Sequence, residues 1–343
     1  MPFLVSIFFL LFIFFFIIYF WGKNKFFKKI LKNHHIHDEH VPRIGGAIIF
    51  LYLLFFSFLG NSYLNNMYIH LILLSFIPIF LISLKEDLFH DTKPSHRIFS
   101  MMLSVLIFLL FFDESFPIID ISFLSNLMQF EIIKFTFFGI CLIVLMNGMN
   151  LIDGANGLLI IVSIFQSIGL LVISFLMNDT VFIKLILLTL IPMTILFCFN
   201  FPSGVIFSGD LGAYFFGWLN GIYAIFLFGR YDELLSWLAV LIFFYPTMEI
   251  GFTMFRRCLL EKKIFFHPDQ KHLHTLIFKL NQKFFIDRKI SNNFVTLSLF
   301  LFWLPMPFIF LVYDSIFLVL MSLFLLFIIY VVLYLYLKKK DYS

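Results

Sequence analysis

The sequence predicts an all-α protein that crosses a membrane about eleven times. Its 343 residues are 62% hydrophobic and 13% charged, with a mean hydropathy of +1.02. A soluble domain of this length does not have such a composition, because its surface must be largely polar. The formal net charge of +4 is small, and no nucleic-acid partner is expected. The whole chain, 1–343, is interpreted as a single integral-membrane domain.

Eleven apolar runs are the candidate membrane helices. They cover residues 3–21, 44–60, 67–84, 97–112, 131–146, 157–177, 182–198, 212–228, 234–255, 293–311 and 316–337. The first run lacks a basic n-region and a small-residue cleavage site, so we expect it to be a retained span and not a cleaved signal peptide.

The basic residues indicate the orientation of these helices. Of the 24 Lys and Arg residues, 21 lie in the loops 22–43, 85–97 and 256–292 and in the C-terminal tail. Basic residues concentrate in cytoplasmic loops, so we expect the N-terminus outside and the C-terminus in the cytoplasm. The opposite side carries Lys134, Lys184 and Arg230. Its acids follow no pattern that the sequence reveals; they are Asp113, Glu114, Asp179, Asp232 and Glu233.

The most informative stretch is Asn147–Leu158, which places amides, a carboxylate and glycines between two apolar runs. If the preceding helix continues, Asn147, Asn150 and Asp153 share one face. Their oxygens suit Mg²⁺ or a sugar nucleotide, and Gly154 lets a ligand approach the backbone closely. The alternative is an ordinary turn, since Asn, Asp and Gly are common turn residues.

Asp210 is the second candidate, in the segment Phe207-Ser-Gly-Asp210. It is the only charged residue between Lys184 and Arg230. A carboxylate in apolar surroundings needs a partner, and the sequence shows no basic residue nearby. Mg²⁺ is therefore the expected partner.

Two further clusters lie at predicted cytoplasmic helix ends. Arg43 precedes a Gly pair at a helix start, which is a natural anion site, although a simple helix entry explains it equally. Glu86 and Asp87 are adjacent acids that would be stabilised by a cation or a proton, while Lys93 and Arg97 suit a phosphate. The alternative for this cluster is a solvated charged loop.

The last cluster contains Asp269, His272 and His274. Its spacing does not fit a zinc site, whereas hydrogen bonds to a pyrophosphate do fit, with Asp269 expected to hold one imidazole. The alternative is a basic loop bound to anionic lipid. Glu249 and Arg256 are seven residues apart and are expected to point towards the same cytoplasmic mouth.

Taken in order, these motifs resemble those of the polyprenyl-phosphate N-acetylhexosamine-1-phosphate transferases, from about Pro42 to His274. They read Asn-x-x-Asn-x-x-Asp-Gly-x-x-Gly-Leu, Phe-Ser-Gly-Asp and Asp-x-x-His-Leu-His. That family transfers a sugar phosphate from a UDP-linked N-acetylated sugar to a polyprenyl phosphate, releases UMP and requires Mg²⁺. The resemblance implies an enzyme of the bacterial inner membrane that initiates a cell-surface glycan, with Mn²⁺ as a substitute metal and a homodimer as a candidate assembly.

The resemblance also implies roles for individual residues. Asp210 would bind Mg²⁺, with Asn150 as its companion. Asp153 and Asn156 would lie beside the uridine or the adjoining phosphates, and Asn147 would also bind substrate. His272 and His274 would hold the sugar or pyrophosphate side, and Asp269 would also belong to the substrate-binding residues. Glu86 and Asp87 would lie next to the lipid phosphate and, with Asp210, would be the catalytic residues. Arg43, Lys93 and Arg97 would bind substrate.

Two departures from the family pattern refine these expectations. Glu86 stands where the family has Asp, so the division of labour between Glu86 and Asp87 is open. Thr275 replaces the third histidine of the peptidoglycan translocase, which favours UDP-N-acetylglucosamine or a deoxy relative over a muramyl-pentapeptide donor. A transporter is the leading alternative function; it predicts internal repeats and mid-membrane acids, and the sequence shows neither.

Overall fold

The structure is a computed structural model that describes residue 13 and residues 41–59, 66–261, 269 and 271–341. All regular elements in these segments are helical, which confirms the all-α prediction. The predicted first span, 3–21, lies outside the described residues apart from residue 13.

Thirteen α-helices follow one another along the described chain. They are α1 (Gly45–Leu59), α2 (Asn66–Phe89), α3 (Pro94–Phe111), α4 (Ser122–Leu127), α5 (Glu131–Ile152), α6 (Leu158–Leu176), α7 (Thr180–Asn200), α8 (Gly209–Arg230), α9 (Ser236–Ile242), α10 (Phe244–Phe255), α11 (Leu273–Gln282), α12 (Arg288–Ser298) and α13 (Ile316–Asp341). A π-helical turn, Arg256–Leu260, extends α10, and two 3₁₀ turns, Phe300–Phe302 and Met306–Leu311, follow α12.

Eight helical segments among the described residues are long and apolar enough to cross a membrane, and α9 with α10 adds a ninth if counted as one broken span. The predicted run 234–255 is thus interrupted, with an 80° bend between its two halves. Pro246 explains the break, because a proline cannot donate to the carbonyl four residues earlier and its ring clashes with that carbonyl. The 15-residue helix α1 is shorter than a typical span. These findings support a multi-pass membrane protein, while the count of eleven stays a prediction.

Helix α8 forms the centre of the bundle, since every residue from Gly209 to Gly229 is buried. It packs against α1, α2, α5 and α6. Where α1 meets α8, a Cβ atom added to Gly46 would overlap the backbone of Gly212, so only a residue without a side chain permits this approach. The amide of Gly46 donates to the carbonyl of Ser208 at 2.9 Å. These contacts bring the segment before α1 to the N-terminus of α8.

The 22 residues of α8 span about 30 Å at 1.5 Å per residue. Polar clusters surround both of its ends. We call them the Asp210 end, at the N-terminus of α8, and the Arg230 end, at its C-terminus.

Candidate active site

Asp210 lies at the start of α8 between two arginines. Its Oδ1 accepts a hydrogen bond from Nη2 of Arg43 at 3.0 Å, and its Oδ2 accepts one from Nη1 of Arg97 at 2.8 Å. The expectation that Asp210 has no basic partner is therefore wrong. Both arginines are more than a hundred residues away in sequence, and only the packing of α1 and α3 near α8 brings them there.

Asp87 caps the N-terminus of α8. Its carboxylate is buried and accepts hydrogen bonds from the backbone amides of Asp210, at 2.8 Å, and Leu211, at 2.9 Å. A carboxylate is stabilised there by unpaired amides and by the positive end of the helix dipole. Gly209 has a φ of +74°, and a Cβ atom on it would lie 2.5 Å from Oδ2 of Asp87. A glycine at this position thus lets the carboxylate reach the helix end.

Glu86 has a different task from Asp87. Its Oε1 lies 2.5 Å from Nη2 of Arg97, and its Oε2 accepts from the amide and the hydroxyl of Thr92, at 2.9 and 2.6 Å. Arg97 also donates from Nε to the hydroxyl of Thr92 at 3.0 Å. Glu86 therefore holds Arg97 in place against Asp210. Lys93 is exposed at the N-cap of α3, outside these contacts.

Among the described residues, acids outnumber basic residues around Arg43 and Arg97. The acids are Glu86, Asp87, Asp153 and Asp210. Burial by itself lowers the pKa of Arg43, but Asp210 and Asp87 raise it more, so its pKa is above the usual value. Asp153, at the C-cap of α5, has a pKa raised to about 7, mainly because it is desolvated; Arg43 opposes this shift and Asp210 adds to it. Burial therefore makes Asp153 hold its proton more tightly than an exposed aspartate, even with Arg43 nearby.

The oxygen atoms present fit a metal ion that is held largely by its substrate. Among the described residues no group of three or more His, Cys, Asp or Glu side chains forms a complete metal cage. Mg²⁺ commonly takes only one or two protein carboxylates and fills its other positions with phosphate oxygens and water. The surplus of acids around Asp210 suits that arrangement.

The residues of the Asn147–Leu158 stretch have different positions: some lie at the candidate site, and others make helix–helix contacts. The amide of Asn147 donates to the carbonyl of Ile143 at 2.8 Å and lies 3.3 Å from the sulfur of Met101, so it is engaged within the α3–α5 contact. Asn150 and Asp153 lie at the end of α5 and are half-buried.

Asn156 is tied to α12. Its backbone amide donates to Asn292 at 2.6 Å, its side-chain amide donates to Asn293 at 3.0 Å, and its carbonyl accepts from Thr296 at 2.6 Å. Only its buried Oδ1 has no hydrogen-bond partner among the described residues. Its role beside a uridine stays a prediction, and that single oxygen is the atom available for it.

The two histidines lie side by side at the start of α11. Their rings are parallel, with centroids 5.6 Å apart, and both are buried. A Cβ atom on Gly154 would overlap Nε2 of His274, so the loop after α5 and the His-Leu-His segment meet directly. Burial, aided by His272, lowers the pKa of His274 to about 4, and its ring is neutral at physiological pH.

The carboxylate that holds an imidazole is Glu249, not Asp269. Glu249 Oε1 lies 3.1 Å from Nδ1 of His272. Asp269 forms an ion pair with Arg256, and its Oδ2 is 4.0 Å from Nε2 of His272, beyond hydrogen-bond distance. The seven-residue spacing of Glu249 and Arg256 indicated that both point to this mouth, but not which partner each would find.

Comparisons with known proteins agree with the motifs. The model of glycosyl transferase family 4 matches residues 69–228. The undecaprenyl-phosphate alpha-N-acetylglucosaminyl 1-phosphate transferase of Thermotoga maritima is 29% identical over 69% of this chain and 68% of its own length. The probable undecaprenyl-phosphate N-acetylglucosaminyl 1-phosphate transferase of Bacillus subtilis is 26% identical over 71% and 67%.

A more distant relative is the phospho-N-acetylmuramoyl-pentapeptide-transferase of Rickettsia bellii, 25% identical over 54% of this chain and 58% of its own length. The family match covers α2 to α8, which carry Asp87, Asp153 and Asp210. These findings confirm the resemblance that the motifs indicated: residues 69–228 match the model of glycosyl transferase family 4.

Proposed function

We propose that this protein transfers an N-acetylhexosamine 1-phosphate from a UDP-sugar to a polyprenyl phosphate and releases UMP. The observation that carries the proposal is the convergence at the Asp210 end. There Asp87 caps the helix that bears Asp210, Asp210 is paired with Arg43 and Arg97, and Asp153 interacts electrostatically with both Arg43 and Asp210. The relatives named as undecaprenyl-phosphate transferases support the same reaction class.

The reaction joins two anions, so the site must first neutralise charge. In the proposed step an oxygen of the lipid phosphate attacks the sugar-bearing phosphorus of the donor. The bond from that phosphorus to the bridging oxygen breaks, and UMP leaves with the electron pair. Arg43 and Arg97 lie where they can stabilise this charge, with Glu86 fixing the position of Arg97. Mg²⁺ bound through Asp210, with Asn150 as companion, would stabilise the leaving phosphate.

Asp87 is assigned a positioning task. Both of its oxygens accept backbone amides of α8, so it fixes the direction of Asp210 and is poorly placed to take a proton. A general base is not required, because a phosphate monoester with a second pKa of about 6 is mostly a dianion at neutral pH. We favour direct attack over a covalent enzyme intermediate on this ground.

The donor, the side of the membrane and the product follow as parts of the proposal. UDP-N-acetylglucosamine or a deoxy relative is the proposed donor, and the product would initiate a cell-surface glycan at the bacterial inner membrane. The Asp210 end would face the cytoplasm. Reporter fusions in the loop 256–292 test the orientation, and a signal from the opposite side of the membrane would contradict it.

The decisive assay measures UMP release by the purified full-length protein with polyprenyl phosphate and a panel of UDP-sugars. Asp210→Asn should lower turnover by more than the about 10–100-fold loss typical of groups one step removed from a metal. Asp232→Asn, an exposed acid beyond the Arg230 end, is the matched control and should be neutral. Full activity in EDTA or wild-type turnover in Asp210→Asn would rule out the metal role. Solute flux into liposomes without UMP release would favour a transporter instead.

A further inference from the structure

Glu249 is a fully buried carboxylate with donors on both of its oxygens. It lies in α10, two turns before the π-helical turn, and its exposed fraction is 0%. Oε1 is 3.1 Å from both Nδ1 of His272 and the backbone amide of Leu273. Oε2 accepts the hydroxyl of Tyr330 at 2.9 Å. A carboxylate buried to this degree and satisfied by this many donors is held in one orientation.

The contact fixes which nitrogen of His272 carries a proton. An ionised carboxylate only accepts hydrogen bonds, so Nδ1 of His272 must be the donor in this pair. The other nitrogen, Nε2, lies 4.0 Å from Oδ2 of Asp269, which is too far for a hydrogen bond. Asp269 is instead paired with Arg256. A carboxylate behind an imidazole fixes its tautomer and stabilises the imidazolium form when the front nitrogen takes up a proton.

We propose that Glu249 is the positioning residue for His272, and that it presents Nε2 of His272 to an anionic oxygen of the sugar-nucleotide pyrophosphate. This inference rests on the proposed function. Glu249 does not touch the substrate; it acts by keeping the His272 ring in one plane and one tautomer.

The last helix, α13, also contacts Glu249. Tyr330 belongs to α13, outside the segment 69–228 that matches the family model, and its hydroxyl holds the second oxygen of Glu249. The chain Tyr330–Glu249–His272 thus links α13 to the mouth of the site. Helix α13, which would otherwise serve only to anchor the protein in the membrane, then contributes to donor binding.

The first experiment is kinetic and uses the full-length protein in detergent. Glu249→Gln keeps the size of the side chain and removes its charge. It is expected to lower kcat/KM for the UDP-sugar by about 10–100-fold, while KM for polyprenyl phosphate stays unchanged. Glu249→Asp restores a carboxylate and should recover part of that loss. A purely structural role would reduce the amount of folded protein and spare the kinetic constants of the folded fraction.

Tyr330→Phe keeps the test independent of how well the Glu249 variants fold. It removes one of the three donors to Glu249 and should lower kcat/KM for the donor roughly twofold to tenfold. Tyr334→Phe is the matched control, because Tyr334 lies one helical turn further along α13, stacks on Tyr330, and has a hydroxyl without a partner among the described residues. Equal effects of the two Tyr→Phe substitutions would overturn the proposal.

The second experiment needs no turnover. In ¹⁵N-histidine-labelled protein the signals of His272 are identified by their loss in His272→Gln. The wild-type protein is expected to carry the His272 proton on Nδ1, and Glu249→Gln should shift the proton population between the two nitrogens. An unchanged tautomer in Glu249→Gln overturns the positioning role. If the wild-type protein releases no UMP with any donor, the proposed function fails, and this spectrum still decides the role of Glu249.

Discussion

The charged clusters at the two ends of α8 differ in how completely their polar groups are paired. At the Arg230 end, Arg230 donates to both oxygens of Glu114, at 2.8 and 3.0 Å, and to Oδ2 of Asp179 at 3.0 Å, and it also contacts the hydroxyl of Tyr68. The other oxygen of Asp179 caps α7 by accepting the amides of Val181 and Phe182 at 3.0 Å. Arg230, Glu114 and Asp179 are thus all engaged with one another or with backbone amides.

Electrostatics at the Arg230 end agree with a closed ion-pair cluster. Burial alone would raise the pKa of Glu114, but hydrogen bonds from Arg230 and Tyr68 hold it below the usual value. Glu114 and Asp179, which follow no pattern in the sequence, are therefore explained by their pairing with Arg230. This arginine joins the ends of α2, α7 and α8.

The Asp210 end is less completely paired by comparison. Among the described residues acids outnumber arginines two to one at both ends, but only at the Asp210 end do buried polar atoms of the cluster lack a partner, for example Ser208 Oγ, Asn156 Oδ1 and His274 Nδ1. Buried polar groups in folded proteins are normally satisfied, so a concentration of exceptions calls for an explanation such as a missing ligand. Charge alone thus does not separate a structural cluster from a site, whereas incomplete pairing does.

The largest expected effect that tests this comparison is at Asp87. Asp87→Asn places an amide donor against the α8 amides and removes the charge that caps them, so Asp210 should lose its fixed direction. We expect a loss of turnover of about a hundredfold, near the upper limit for a group that acts through a metal ligand. UMP release by the full-length protein measures it.

Glu86→Asp provides the graded comparison for that experiment. The shorter side chain keeps the charge but withdraws from Arg97 and Thr92, so we expect a smaller loss of roughly tenfold. Wild-type turnover in Asp87→Asn together with an inactive Glu86→Asp would show that the two roles are reversed.

An intermediate effect, on stability instead of chemistry, is expected at the Arg230 end. Arg230→Met leaves the buried carboxylate of Asp179 and the half-buried Glu114 without their cation, and should lower the free energy of unfolding by about 1–3 kcal/mol. Turnover per folded molecule should stay near wild type. Thermal unfolding in detergent, paired with the UMP assay, separates the two quantities.

Lys134→Met is the matched control at that end. Lys134 is a basic residue near the same surface, but its ammonium lies over the rings of Phe116 and Phe135, at 5.7 and 5.9 Å. Its removal should change stability much less. If Arg230→Met lowered turnover without affecting stability, the description of the Arg230 end as structural would be contradicted.

The sequence predicts the helices and the motifs of the candidate site, because these depend on local sequence pattern. Apolar runs predicted most helices, and the Asp153-Gly154 and His272-x-His274 motifs were assigned to one site, where the structure brings Gly154 against His274. It could not reveal the Arg43–Asp210 pair, because that contact joins residues 167 apart and depends on how α1 crosses α8. Pro246 indicates a helix break, but it lies inside the continuous apolar run 234–255, which by itself predicts a single span.

The smallest expected effect concerns His274, and it tests whether the Asp210 end is truly buried there. With a pKa of about 4 in the folded protein, against a usual value of 6.5, His274 takes up a proton more readily in the unfolded chain. Its contribution to stability is therefore complete above pH 6.5 and is lost as the pH falls towards 4. One pH unit within this window is worth about 1.4 kcal/mol for a single group.

His274→Gln, which cannot titrate, should show a shallower loss of stability between pH 6.5 and 5.5, by about 1 kcal/mol. The exposed His96, at the start of α3, gives the control His96→Gln, which should follow the wild-type curve. Parallel curves for the wild type and His274→Gln would mean that the ring is reached by water, and the close contact with Gly154 would then need revision.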